Sequence, residues 1–104
     1  MTARLDEEED SWFRVSGELS FDTVPEMLEQ SRELFGRAER IDIDLSGVER
    51  SDSAGLVLLV EWMRAAERLH KPIQFLNIPP QMMAMVRVSG LDQVCPISRA
   101  TNPA

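Results

Sequence analysis

The spacing of apolar residues along this chain switches between two and about 3.6, which predicts strands alternating with helices. Trp12, Phe13 and Val15, a Gly17-Glu18 turn signal, and then Leu19 and Phe21 predict two short strands joined as a hairpin. Thr23 with Glu26 three residues later fits a capping box, and Pro25 is tolerated in a first helical turn, where an N–H has no partner anyway. Val24, Met27, Leu28, Ser31, Leu34, Phe35 and Ala38 then repeat at helical spacing. Glu26, Glu29, Gln30, Arg32, Glu33 and Arg37 fill the opposite face, so one side of this helix meets solvent.

Strict alternation in Ile41-Asp42-Ile43-Asp44-Leu45 predicts a half-buried strand with its carboxylates on the solvent face, ended by Ser46-Gly47. A second helix is expected from about Ala54 to His70, where a hydroxyl and an acid precede a long stretch whose only glycine is Gly55. Lys71-Pro72 stops it. Ile73 and Phe75 then share one face of a strand, and Gln74 and Leu76 share the other. A third helix follows Pro79-Pro80, carries Met82, Met83, Met85, Val86 and Val88, and closes on Gly90 at a left-handed C-cap. Because of Pro96, the stretch Val94 to Ile97 reads as a short edge strand. One helix per strand, each with an apolar stripe, implies an α/β layer structure: a mixed β-sheet of four to five strands with amphipathic helices mainly on one face.

The 104 residues match one domain, with 43% hydrophobic and 28% charged residues. Residues 1–10 hold five acids and one arginine, a net −4 of the chain's −7, and read as a flexible acidic tail; 11–98 form the domain and 99–104 a second flexible tail. The acidic start is unlike a secretory signal peptide, and Leu56 to Val60 is the longest apolar run, so a cytoplasmic chain without membrane insertion is expected. A charge of −7 disfavours phosphate backbones, and hence nucleic acid. One cysteine, Cys95, and one histidine, His70, build neither a disulfide nor a soft-ligand metal site.

No phosphate-cradling glycine motif is present. His70 lies at the far end of the helix from Ser53, too distant for a catalytic triad, and Asp42 and Asp44 project from a solvated strand face. No catalytic, cofactor or metal site is therefore expected. The informative segment is Ser51-Asp52-Ser53-Ala54-Gly55, a strand-to-helix turn of the kind that carries sites in α/β sheets. It reads either as a helix cap with a close-packing glycine or as a recognition or phosphorylation site. The helix after it has an apolar arc too wide for one sheet contact. Its flank with Leu58 and Trp62 meets either another helix or a partner, and at least one of Met82, Met83 and Met85 is expected at an interface or exposed.

The run Ile41 to Val48, then Ser51-Asp52-Ser53-Ala54-Gly55-Leu56, the long apolar helix and the strand Pro72 to Asn77 resemble the STAS domain of sulfate transporters and anti-sigma factor antagonists, over about residues 12 to 98. In the antagonists the resemblance implies phosphorylation of the hydroxyl residue just before the glycine. That position here is Ala54, which has no oxygen to modify. Ser53 keeps a hydroxyl one position earlier, which is similar to the STAS subunit of the Mla-type (toluene-tolerance, lipid-asymmetry) phospholipid transporter. That resemblance implies a non-enzymatic accessory subunit that binds and stabilises an ABC transporter ATPase, peripheral to the inner membrane. Asp52, Ser53, Ala54, Gly55, Leu58 and Trp62 would be its contact residues. The alternative is an anti-sigma factor antagonist, with a serine kinase and an anti-sigma factor as partners and with Ser53 or Ser51 phosphorylated.

Overall fold

The computed structural model describes residues 2–9 and 11–98. Five strands, β1 (Ala3–Glu9), β2 (Trp12–Leu19), β3 (Ile41–Ser51), β4 (Ile73–Leu76) and β5 (Ile97–Ser98), lie side by side in chain order. β1 pairs antiparallel with β2, and every later pairing is parallel. Each parallel step crosses over through one helix: α1 (Val24–Arg37), α2 (Ser53–Leu69) and α3 (Pro80–Ser89). Steps that progress in one direction with the usual right-handed crossover put all their helices on one face. Burial agrees: Phe13, Val15, Ile41, Ile43, Leu45 and Phe75 are wholly buried on the helix side, while Arg14, Asp42 and Gln74 on the other side keep solvent contact.

α2 lies between α1 and α3 and is the most buried helix. Its wide apolar arc is used inside the domain. Leu58 and Trp62 are both 0% exposed, which corrects the expectation that they form a partner-binding flank. The indole packs edge-on against Phe35 of α1 at 5.6 Å between ring centroids, and its N–H donates to Ser31 Oγ at 2.9 Å. Ser31 in turn donates to the Leu28 carbonyl, so the polar atoms of this contact are satisfied. Phe35 also meets Phe13 at 5.1 Å, which links the helix pair to the sheet. Lys71 reinforces it, its Nζ donating to the carbonyls of Phe35 and Gly36 at the end of α1. Of the three methionines, Met82 is wholly buried, and Met83 and Met85 are half-buried.

Several expectations are corrected at the N-terminal side. The stretch read as an acidic tail supplies strand β1, because Leu5 turns inward opposite Val15 while Arg4 pairs with Asp6 and Arg14 with Glu8 on the outer surface. The hairpin is therefore β1–β2, and no turn occurs at Gly17. Gly17 has φ 93° inside β2, at a register shift where a Cβ would collide with the Thr2 carbonyl, so only glycine fits. Phe21 lies outside any strand and is 70% exposed. Ser46-Gly47 does not end β3 but sits within it, at the matching irregularity opposite Ser16. Thr23 makes no capping box; its hydroxyl donates to the Glu18 carbonyl and accepts from Ser20 N–H, tying β2 to the start of α1. Residues 99–104 lie outside the described residues.

Truncating the side chain that joins α1, α2 and the sheet removes a full aromatic contact set. Trp62→Ala is expected to lower unfolding stability by about 3–5 kcal/mol in urea titration. Trp62→Phe, which keeps an aromatic ring but removes the N–H donor to Ser31 and part of the ring volume, is expected to cost about 1–3 kcal/mol.

Candidate docking site

β3 ends at Ser51, Asp52 is the N-cap of α2, and Ser53 begins the helix. Asp52 is extended (φ −97°, ψ −167°), and its Oδ1 accepts from Ala54 N–H at 2.8 Å while its carbonyl accepts from Gly55 N–H at 3.0 Å. This is the N-cap arrangement that satisfies helix donors lacking an intrahelical partner. Asp52 N–H donates to the Leu19 carbonyl, so the turn is also sewn to the end of β2. Ser51 is held from the other side by Gln81 of α3: its N–H donates to Oε1 at 3.2 Å, and its carbonyl accepts from Nε2 at 3.0 Å. The Gln81 carboxamide thus stands in for one more strand residue at the end of β3.

Within the turn, exposure separates the five residues cleanly. Asp52 and Ser53 are exposed; Ser51, Ala54 and Gly55 are buried. The Ser51 hydroxyl donates to the Asp52 carbonyl at 2.9 Å and is 6% exposed, so it is a poor target for any modifying enzyme. Gly55 lies against it: a Cβ at residue 55 would overlap Ser51 Oγ and come within 3.2 Å of Ser51 Cβ. The glycine is there for the close approach of helix and strand. Ala54, 2% exposed, fills the core with its methyl group. Of the six residues expected at a partner contact, only Asp52 and Ser53 reach the surface.

A groove of about 340 Å³ flanks the turn, lined by Glu18, Leu19, Ser20, Glu49, Arg50, Ser51, Asp52 and Gln81. Sequence reasoning missed Glu18 and Gln81 because β2 and α3 are brought to the turn by the tertiary structure, and it read Glu49, two residues before Ser51 on β3, as part of a loop. On α3, Val88, an apolar residue off the Met82/Val86 stripe, is 90% exposed.

Other candidate chemistry is committed to structure. Asp44 is not solvated but 3% exposed, its Oδ1 accepting from Ser46 N–H and Asn77 Nδ2, which corrects the reading of a solvent-facing carboxylate pair. Asp42 is paired with Arg40 and Gln74. His70 takes the left-handed C-cap of α2 (φ 56°), about 25 Å of helix away from Ser53. Among the described residues no group of three His, Cys, Asp or Glu side chains is placed to hold a metal. Burial pushes the Cys95 thiol up from 9.0 to about 11, which keeps it protonated and unreactive. No helix of the described residues is long and apolar enough to cross a membrane.

A mixed five-strand sheet with its helices on one face, and an aspartate-capped Ser-Ala-Gly turn between its longest strand and longest helix, matches one family. The family model described as "Mlab, STAS domain" covers residues 3–97. The chain belongs to the STAS family. Among solved structures, the STAS domain is similar to the anti-sigma factor antagonist SpoIIAA in its unphosphorylated form (20% identity, 96% of this chain and 89% of that one, TM-score 0.75). It is also similar to an anti-sigma factor antagonist from Mycobacterium paratuberculosis (25% identity, 94% and 86%, TM-score 0.73). The Bacillus cell fate determinant SpoIIAA in its phosphorylated form matches at 22% identity over 96% and 92% of the two chains, TM-score 0.69. No curated protein matches this STAS domain.

The crowding at residue 55 is testable. Gly55→Ala is expected to destabilise the STAS domain by about 1–3 kcal/mol, and Ser51→Ala in the same chain to restore a large part of the loss, leaving a coupling of at least about 1 kcal/mol in a double-mutant cycle. Cys95 sets an alkaline limit. Below pH 9 the thiol is protonated in both folded and unfolded chains and adds no pH dependence. Between 9.0 and about 11 only the unfolded chain loses the proton, so stability falls as pH rises and levels off above that window. Urea titrations across this range should show that slope in the native sequence and a smaller one in Cys95→Ala.

Proposed function

We propose that this STAS domain is a non-catalytic protein-docking module of the anti-sigma factor antagonist type. It presents the Asp52-Ser53 turn and the adjoining groove to an anti-sigma factor and a serine kinase in the cytoplasm. The observation that carries the reading is the exposure of Ser53 at the first position of α2, beside a turn whose other hydroxyl, Ser51, is buried. A phosphate there adds about −1.5 to −2 charge at a helix N-terminus, beside the Asp52 carboxylate, and so changes the charge of the contact without needing the fold to move. The fold likeness to SpoIIAA in both phosphorylation states supports the same reading.

A second reading is favoured by a specific observation: the residue just before the glycine is Ala54, buried and without an oxygen, and the matching family model carries the description "Mlab, STAS domain". On that reading the STAS domain docks permanently on the ATPase of a phospholipid-transporting ABC complex, through the same turn and with no phosphate switch. The two readings share a surface and differ in partner.

A tagged pull-down of the native chain from its own cells, with mass spectrometry of partners and of the peptide spanning Ser51 and Ser53, separates them. A kinase or anti-sigma factor with phosphate on Ser53 is the expected result; an ABC ATPase with an unmodified peptide would establish the second reading instead. In either case Ser53→Glu should weaken partner binding about tenfold or more through the added charge, while leaving the urea midpoint within about 0.5 kcal/mol of native stability.

A further inference from the structure

An apolar groove of about 350 Å³ opens between α2 and α3, lined by Leu56, Ala84, Met85, Val88 and Ser89. Leu56 lies one helical turn beyond Ser53, on the same side of α2. Val88 is 90% exposed, and Leu56 and Met85 beside it are half-buried. Large apolar side chains left open in one place mark an interaction surface when something specific covers them. Gln81 joins this groove to the polar one beside the Asp52 turn: it lines the polar groove, holds Ser51, and its Nε2 lies 3.2 Å from Met85 Sδ. The two grooves are therefore one surface with an apolar end and an acidic end.

The acidic end carries Glu18, Glu49 and Asp52 against Arg50 alone. None of these four takes part in an ion pair among the described residues, although six pairs occur elsewhere on the surface. Their field is left for a partner to neutralise, and the chain as a whole is at −7. A second copy would bring the same charge, and an anionic membrane surface would be repelled. We propose that this surface seats an amphipathic helix of a protein partner, with aliphatic side chains in the Leu56–Met85–Val88 groove and a lysine or arginine pair at the end that meets Glu18, Glu49 and Asp52. The inference rests on the docking reading above and adds the chemistry of the partner.

The probe is a synthetic three-turn amphipathic helix with leucines on one face and two lysines at one end, compared with the same peptide carrying glutamates there. Titrated into the isotope-labelled STAS domain, the lysine peptide should shift the amide signals of Leu56, Ala84, Val88 and Glu49 and bind about tenfold or more tighter than the glutamate peptide at low salt, with the difference shrinking as salt is raised. Val88→Asp, at a position too exposed to affect folding, should weaken the lysine peptide about fivefold or more, and Glu49→Lys should erase the preference between the peptides. Equal affinity for both peptides, shifts mapping away from these residues, or no shift at millimolar peptide would overturn the proposal. So would concentration-dependent shifts of the same signals in the free protein, which would make a second copy the occupant. The peptide result stands apart from the pull-down: an apolar-basic preference can hold whichever partner class is captured, and a kinase or ATPase can be captured by a surface without it.

Discussion

The buried contact of Trp62 with Phe35 and Ser31 is the interaction on which the rest of this STAS domain depends. It holds α1 against α2, and Phe35 passes the contact on to Phe13 in the sheet. An indole donates one hydrogen bond and fills a large volume, so its partner hydroxyl fixes both spacing and rotation of the two helices. With α2 held in this way, its N-terminus has one available position over the ends of β2 and β3. The docking turn is stiff because its helix is.

Such stiffness suits the recognition role proposed for so small a turn. Its backbone is tied down on several sides: Asp52 caps the helix and bonds β2, Ser51 is bracketed by Gln81, and Gly55 lets the helix settle against Ser51. Only Asp52 and Ser53 are left to face a partner. A surface made of two polar side chains on a fixed backbone loses little entropy on binding. The same construction suits a switch by phosphate or a permanent joint, which is why Ser53 and Ala54, and not the fold, separate the two functional readings. Both readings also share the acidic end of the α2–α3 groove.

Much of the fold was legible in the chain itself. The periods of the apolar residues marked α1, α2, β3 and β4, the glycine at 90 closed α3 as expected, and Asp52 was visible as a cap. These are local matters, decided by backbone geometry and by which side of an element is apolar. The acidic stretch Ala3–Glu9 misled because composition measures its average polarity, whereas one inward leucine and a neighbouring strand are enough to order it. Gly17 and Gly47 misled because a glycine that ends a strand and a glycine that bulges one are the same letter.

Sequence alone therefore determined the alternation of strands and helices from α1 onward, the one-faced layering and the strand-to-helix turn at Asp52, since each follows from spacing and chain direction. Which side chains are exposed was decided by tertiary structure. Leu58 and Trp62 look like an interface on an isolated helix, and α1 buries them; Asp44 looks solvated on an isolated strand, and Asn77 and Ser46 enclose it. Glu18 and Gln81 join Glu49 beside Asp52 only because β2 ends and α3 begins at the same edge of the domain as the end of β3. Exposure is a property of what packs against a residue, and that partner lies tens of residues away in the chain.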